Sequence, residues 1–233
     1  MKFYRTFTPF KALSFDLDDT LYDNQAVIQN AEAQFIAKLA ELAQLPLSAA
    51  QWKTWRAQIF AQDPILCEDV TRWRQQAVYA FLQQQGKSAV EIEPIWQSAI
   101  THFFEWRHKM EISAQTHEIL KQLKTRYPLI AITNGNVTPE RVGLDFDFIL
   151  TGGVHGRAKP HRALFHQAAA KFQLAPQEIL HVGDNLVTDV QGAIQAGCQA
   201  AWLNLSACGI ADYPEATLLP TLEIQQLQEL LLL

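Results

Sequence analysis

A short apolar run, Ala12-Leu13-Ser14-Phe15, leads straight into Asp16-Leu17-Asp18-Asp19-Thr20. A buried strand seldom ends in carboxylates, because charge at its end must be paired, hydrated or bound to metal. Asp16 and Asp18 are two residues apart, so in extended chain their side chains leave on the same side. Two carboxylates that close ionise together only when a cation joins them; otherwise one keeps its proton. The pair fits a hard-metal site with one group as nucleophile or ligand and the other as acid or base. A solvated turn, or a helix start capped by Asp19, is the plainer reading of the same residues. The rest of the chain separates the two.

After Tyr22 the strand signals stop for about ninety residues. Asp23 and Asn24 can cap a helix in which Ile28, Ala31, Phe35, Leu39 and Leu42 recur at steps of three and four. Pro46 ends it. Ser48 to Gln51 has the form of a capping box, followed by Trp52, Trp55 and Ile59 at helical spacing, and Pro64 breaks that helix. Val70, Trp73, Ala77 and Phe81 mark a third helix, closed at Gly86. Ser88 to Glu91 is a second capping box, ahead of Ile92, Trp96, Ile100 and Phe103. Residues 22–111 therefore read as an all-helical insertion.

From residue 112 the pattern alternates. Ile119, Leu120 and Leu123 sit on a helix, and Leu129 to Thr133 is a continuous apolar run suited to a strand buried on both faces. Further strands are expected at Phe146–Leu150, Ile179–Val182 and Ala200–Asn204, with helices at Arg162–Phe172, Val187–Ala196 and roughly 222–232. The fold class is α/β: residues 1–21 and 112–233 form one discontinuous domain with a parallel sheet, and the helical segment is spliced in after its first strand. Ligands of such sheets sit beyond the carboxyl ends of the strands. Three strands end there in polar groups: Asp16 and Asp18, Thr133-Asn134-Gly135, and Gly183-Asp184.

Asp189 follows Asp184 by five residues, and the four carboxylates would repel one another without a cation. An all-oxygen set suits Mg²⁺. Lys159, held before a helix by Pro160, would neutralise both the cluster and a bound phosphate. The Thr133 hydroxyl and the backbone N–H groups of Asn134 and Gly135 could hold phosphoryl oxygens. Taken singly, Asp184 reads as a helix cap, Asp189 as a first-turn acid and Lys159 as a solvated surface lysine.

The net charge of −5 and the lack of a basic block argue against nucleic acid as a partner. No apolar run suits a signal peptide or a bilayer span, which argues against a membrane. Cys67, Cys198 and Cys208 show no CxxC spacing, so a reducing cytoplasm is expected. Nothing in the sequence fixes an oligomeric state.

Asp16 to Thr20, Thr133, Lys159-Pro160 and Gly183-Asp184 with Asp189 together resemble the four ordered motifs of the haloacid dehalogenase (HAD) superfamily. The resemblance implies a Rossmann-like sheet of five parallel strands ordered 5-4-1-2-3 and the helical-cap class, with the insertion after the first motif. It implies Asp16 as nucleophile, Asp18 as acid and base, and Mg²⁺ on Asp16, Asp184 and the backbone carbonyl of Asp18. Asp189 then orients Lys159 or a metal-bound water. Further matches, including Asp69 to Arg74 and His155-Gly156-Arg157, resemble a subgroup of bacterial HAD phosphatases assigned to riboflavin synthesis. The substrate implied is a small phosphate monoester, 5-amino-6-(5-phospho-D-ribitylamino)uracil, with FMN and sugar phosphates as alternatives. Arg72 and Arg74 are candidates to grip it, while Trp73 reads as core. A dehalogenase would have no use for Asp18, and a non-catalytic module would be expected to lose Asp16, Asp18 or Asp184. A phosphomutase would use the same residues.

Overall fold

The computed structural model describes residues 1–206 and 208–233. They fall into two compact units, one made of Met1–Tyr22, Ile112–Gly135 and Gly143–Leu233, the other of Asp23–Glu111 and Asn136–Val142.

The first unit is built on a seven-stranded sheet, β1 (Lys2–Phe3), β2 (Ala12–Phe15), β3 (Leu129–Thr133), β4 (Phe148–Thr151), β5 (Ile179–Gly183), β6 (Gln199–Leu203) and β7 (Leu222–Ile224). Its order is β1-β7-β6-β5-β2-β3-β4. Five consecutive strands, β6-β5-β2-β3-β4, are parallel and follow the expected 5-4-1-2-3 order, with β2 between β5 and β3. β2, β3, β5 and β6 are buried along their whole length, which is why their sequences are nearly unbroken apolar runs. One side of the core joins Ile130, Ile132 and Leu150 to Phe165, Val190 and Trp202. Each such side chain contributes about 1.5–3 kcal/mol on burial.

Two sequence expectations need correction here. The helix expected over 222–232 is instead β7 followed by a 3₁₀ segment, Leu227–Leu232. Leu222 and Ile224 are buried and Glu223 between them is not, a period of two that pairs β7 with β6 in parallel and with β1 antiparallel. The helix expected over 187–196 opens as a wider π-type segment, Leu186–Gln191, and becomes α-helical only at Gly192–Gln195. Asn185 caps it, its side chain accepting from the N–H groups of Val187 and Thr188.

The second unit holds helices α1 (Gln25–Ala43), α2 (Ala49–Gln62), α3 (Val70–Gln84) and α4 (Ala89–Arg107). Ser48 and Ser88 form the capping boxes read from the sequence, with Gln51 and Glu91. Asp69 caps α3 by accepting from the N–H groups of Thr71 and Arg72. The core joins Phe35, Trp52, Phe81, Trp96 and Phe103, with Trp55 and Trp106 packed at its margin. Asn136–Val142 also belongs to this unit, beyond the expected bounds of 22–111. Thr138 N donates to His108 Nε2 at 2.9 Å and Asn136 Nδ2 to Thr71 Oγ1 at 3.2 Å. Among the described residues no helix is long and apolar enough to cross a membrane.

Candidate active site

The parallel register brings the ends of β2, β3 and β5 side by side. Asp16 continues β2, its N–H donating to Val182 O at 2.9 Å. The chain then turns tightly: Leu21 N donates to Leu17 O, and Asp19 N to Tyr22 O, with Asp19 in the left-handed region at φ 60°. An aspartate tolerates that conformation better than most residues. Leu17 and Leu21 are buried and anchor the turn.

Asp16 and Asp18 have separate partners. Lys159 Nζ lies 2.7 Å from Asp16 Oδ1 and 2.6 Å from Asp189 Oδ1, with the lysine only 4% exposed. Asp18 Oδ1 instead accepts from the Tyr22 hydroxyl at 2.6 Å. Its other oxygen lies against Gly135, where a Cβ would overlap it. Gly135 N in turn donates to Thr133 Oγ1 at 2.9 Å. Gly183 does the same for Asp189, whose carboxyl group occupies the space a Cβ would fill. Asp189 Oδ2 accepts from Asn185 N at 3.0 Å. Thr20 Oγ1 donates to Asp184 Oδ1 at 3.0 Å and accepts from Asp184 N at 3.1 Å.

Asn134 has a use the sequence did not reveal. Its side chain clamps the backbone of Lys159, Nδ2 donating to Lys159 O and Oδ1 accepting from Lys159 N, each at 2.8 Å. Tyr22 was likewise not among the candidates, although a hydroxyl four residues after Asp18 was a signal that could have found it.

The electrostatics follow from burial. Desolvation pushes the Asp16 carboxyl up to about 8, with Lys159 opposing and Asp189 adding to the rise. Desolvation, then the charge on Asp189, pushes Asp184 up to about 6. For Asp189 desolvation acts upward too, but Lys159 and His181 outweigh it and hold the group far below the usual carboxylate range. Burial would strip Lys159 of its proton, yet Asp16 and Asp189 win and raise it. One carboxylate oxygen from each of Asp16, Asp184 and Asp189 lies within 4.8 Å of the others. Against these three acids stands the charge of Lys159, and their mutual repulsion adds to desolvation in raising Asp16 and Asp184. An all-oxygen donor set with excess negative charge fits a divalent hard cation. The Asp18 side chain is not one of the three.

The two arginine candidates on α3 do not share a surface. Arg72 is exposed. Arg74 is 3% exposed and turned into the helical unit, with Nη2 2.6 Å from Glu32 Oε2 and its guanidinium 4.0 Å from the Phe103 ring centre. Trp73 is half-buried beneath Arg56, and its Nε1 donates to Arg56 O at 2.8 Å.

The sequence profile of the haloacid dehalogenase-like hydrolases matches residues 10–197. The chain belongs to that family and is an enzyme, a HAD-family phosphatase. It is 40% identical over 234 residues to the 5-amino-6-(5-phospho-D-ribitylamino)uracil phosphatase YigB of Escherichia coli (strain K12), covering 99% of this chain and 98% of that one. It is also 26% identical to the glyceraldehyde 3-phosphate phosphatase of Pyrococcus furiosus, over 95% of this chain and 92% of the relative. Among solved structures, a 2-haloacid dehalogenase from Pseudomonas syringae pv. Tomato DC3000 superposes with a TM-score of 0.86 at 30% identity, covering 95% and 96% of the two chains.

Proposed function

We propose that this enzyme hydrolyses 5-amino-6-(5-phospho-D-ribitylamino)uracil, with FMN as a second candidate substrate, through an aspartyl-phosphate and with Mg²⁺. The observation that carries the chemistry is the division of labour between Asp16 on Lys159 and Asp18 on Tyr22. The match to the Escherichia coli relative over nearly the whole chain supports the substrate.

Asp16 attacks phosphorus in line; its Oδ–P bond forms as the P–O bond to the alcohol breaks. Asp18 gives its proton to the leaving alkoxide. It then takes a proton from the water whose oxygen attacks phosphorus, and the bond to Asp16 breaks, returning the free enzyme and inorganic phosphate. Lys159 and the Thr133 hydroxyl hold the phosphoryl oxygens as charge redistributes. Asn134 fixes the lysine's backbone and Asp189 its ammonium group. The Asp16 and Asp184 carboxylates and the backbone carbonyl of Asp18 would hold Mg²⁺, with Asp189 beside it. That ion supplies the positive charge that lets a carboxylate approach a phosphate. We keep exposed Arg72 as a proposed substrate-gripping residue and assign Arg74 to the interior of the helical unit. Free thiols at Cys67, Cys198 and Cys208 support a reducing cytoplasm as its setting.

The likeness to a 2-haloacid dehalogenase raises a second reading, halide displacement by Asp16. Asp18 and its tyrosine partner favour phosphate chemistry, since a halide leaves without a proton. Purified enzyme with Mg²⁺ should release phosphate from the ribitylaminouracil phosphate or FMN with a higher kcat/KM than from sugar phosphates, and Asp16→Asn should release none. Chloride release from a 2-chloroacid without phosphate release would overturn the proposal in favour of the second reading.

A further inference from the structure

Ser14 and His181 are polar residues in the middle of two otherwise apolar strands, and the mechanism above leaves them without a use. Both are buried, His181 being 1% exposed. They face each other in the register of β2 with β5. Ser14 Oγ lies 2.9 Å from His181 Nδ1, and His181 Nε2 lies 3.5 Å from Asp189 Oδ1, the oxygen that also accepts from Lys159. The edge-on contact of Phe165 with the imidazole, at 5.0 Å and 88°, fixes the ring's rotation. Packing alone does not call for this pair, because burying two polar groups where apolar ones would fit costs free energy even when they bond each other.

The alternation of a strand explains where the pair points. Ser14 lies two residues before Asp16, and His181 two before Gly183, whose missing Cβ admits the Asp189 carboxyl group. Ser14 thus shares a strand face with Asp16, and His181 shares one with the place where Asp189 packs. The hydrogen bonds run Ser14, His181, Asp189, Lys159, Asp16, and return along β2 to Ser14. The Asp189 carboxylate can only accept, so it calls for the hydrogen on His181 Nε2, and Nδ1 is then left to accept from the Ser14 hydroxyl.

We propose that His181, held in place by Ser14, is a positioning residue that fixes the Asp189 carboxylate and through it the ammonium group of Lys159. This rests on the phosphatase reading for its effect on turnover, but the geometry it concerns does not. A ligand-orienting partner of this kind is worth about 10–100-fold in activity when removed.

Two amide variants separate donation from packing. In His181→Gln the side-chain amide reaches the position of Nε2 and can still donate to Asp189. In His181→Asn it reaches only the position of Nδ1. The first readout is acetylation of Lys159 in the intact protein, followed by peptide mass spectrometry with exposed Lys53 as reference. His181→Asn should raise the Lys159 rate about fivefold or more by loosening the site locally, and His181→Gln should stay near wild type. The second readout is steady-state phosphate release with Mg²⁺. His181→Asn should lower kcat by about tenfold with KM changed far less, and should add little to Asp189→Asn. Ser14→Ala, a smaller change to the fold, should move both readouts in the same direction by a lesser factor. Equal behaviour of the Gln and Asn variants in the labelling experiment, or a full His181→Asn effect on top of Asp189→Asn, would overturn the proposal. If wild type releases no phosphate while the labelling pattern holds, the phosphatase reading fails and the positioning role stands.

Discussion

Each unit of this protein buries a basic side chain against acid, and the two do it differently. In the helical unit Arg74 meets one acid, Glu32, and lays its guanidinium on Phe103. Glu32 also receives Arg56 at 3.3 Å and the indole N–H of Trp52. Desolvation acts to raise Glu32, but the two arginines overcome it and hold the group low. In the α/β unit Lys159 is shared by Asp16 and Asp189, Asp184 lies within reach of both, and the outcome for Asp16 is the reverse. Burial is common to the two clusters; charge balance is not. A buried cluster whose one acid is matched by two arginines has no surplus negative charge and is part of the packing. One left with surplus negative charge is poised to take a cation or to share its charge with a substrate.

The sharpest way to break this comparison is at the surplus charge itself. Asp16→Asn should lower phosphate release by more than about 10³-fold while the metal-free protein melts no lower than wild type. A variant that keeps turnover would remove Asp16 as nucleophile. Next come the two cations. Lys159→Met should cost about 3–5 kcal/mol in denaturant unfolding, because it strands buried acid, and Arg74→Met should cost less, because Glu32 keeps Arg56 and the Trp52 indole as partners. Only Lys159→Met should also lower kcat, by about 100-fold or more. Loss of activity in folded Arg74→Met would erase the distinction between the units.

A smaller effect tests the sign. Asp184 has a folded-state value near 6, above its ordinary one, through burial and the charge on Asp189. Its contribution favours the fold at low pH and is lost as pH rises through about 6. With chelator present, Asp184→Asn should therefore gain on wild type between pH 4 and 7, by up to about 3 kcal/mol. Saturating Mg²⁺ should reverse the order by binding wild type more tightly. The smallest effect lies far from any charge cluster. Ser88→Ala removes the side-chain acceptor that caps α4 and should cost about 1 kcal/mol in unfolding without changing kcat/KM.

The sequence was legible where local pattern and chemistry coincide. Largely apolar runs mark β2, β3 and β5, and each ends in the polar residues that meet at the site. Serine boxes start α2 and α4 where they were expected. Legibility failed where the deciding partner is remote in the chain. Leu222-Glu223-Ile224 is too short to tell period two from a helix turn, and its pairing with β6 and β1 decides the matter. The Asn134 side chain reads as part of a turn until Lys159, twenty-five residues on, is placed in its grip. Arg74 sits beside Arg72 in sequence, but two positions along a helix turn it to another face. Nor does spacing show that Asn136–Val142, immediately after the Thr133-Asn134-Gly135 turn, belongs with the helices.

Gly135 and Gly183 carry no functional group, yet the space above each α-carbon is already taken by a carboxylate of the proposed site. In a saturation mutagenesis screen read by phosphate release, these two positions should score as inactive alongside Asp18 and Asp189, even for alanine. The smallest side chain would evict an acid rather than loosen the core. Such positions define a footprint of forbidden volume around the reaction, and any redesign of this enzyme must respect it as strictly as the acids themselves.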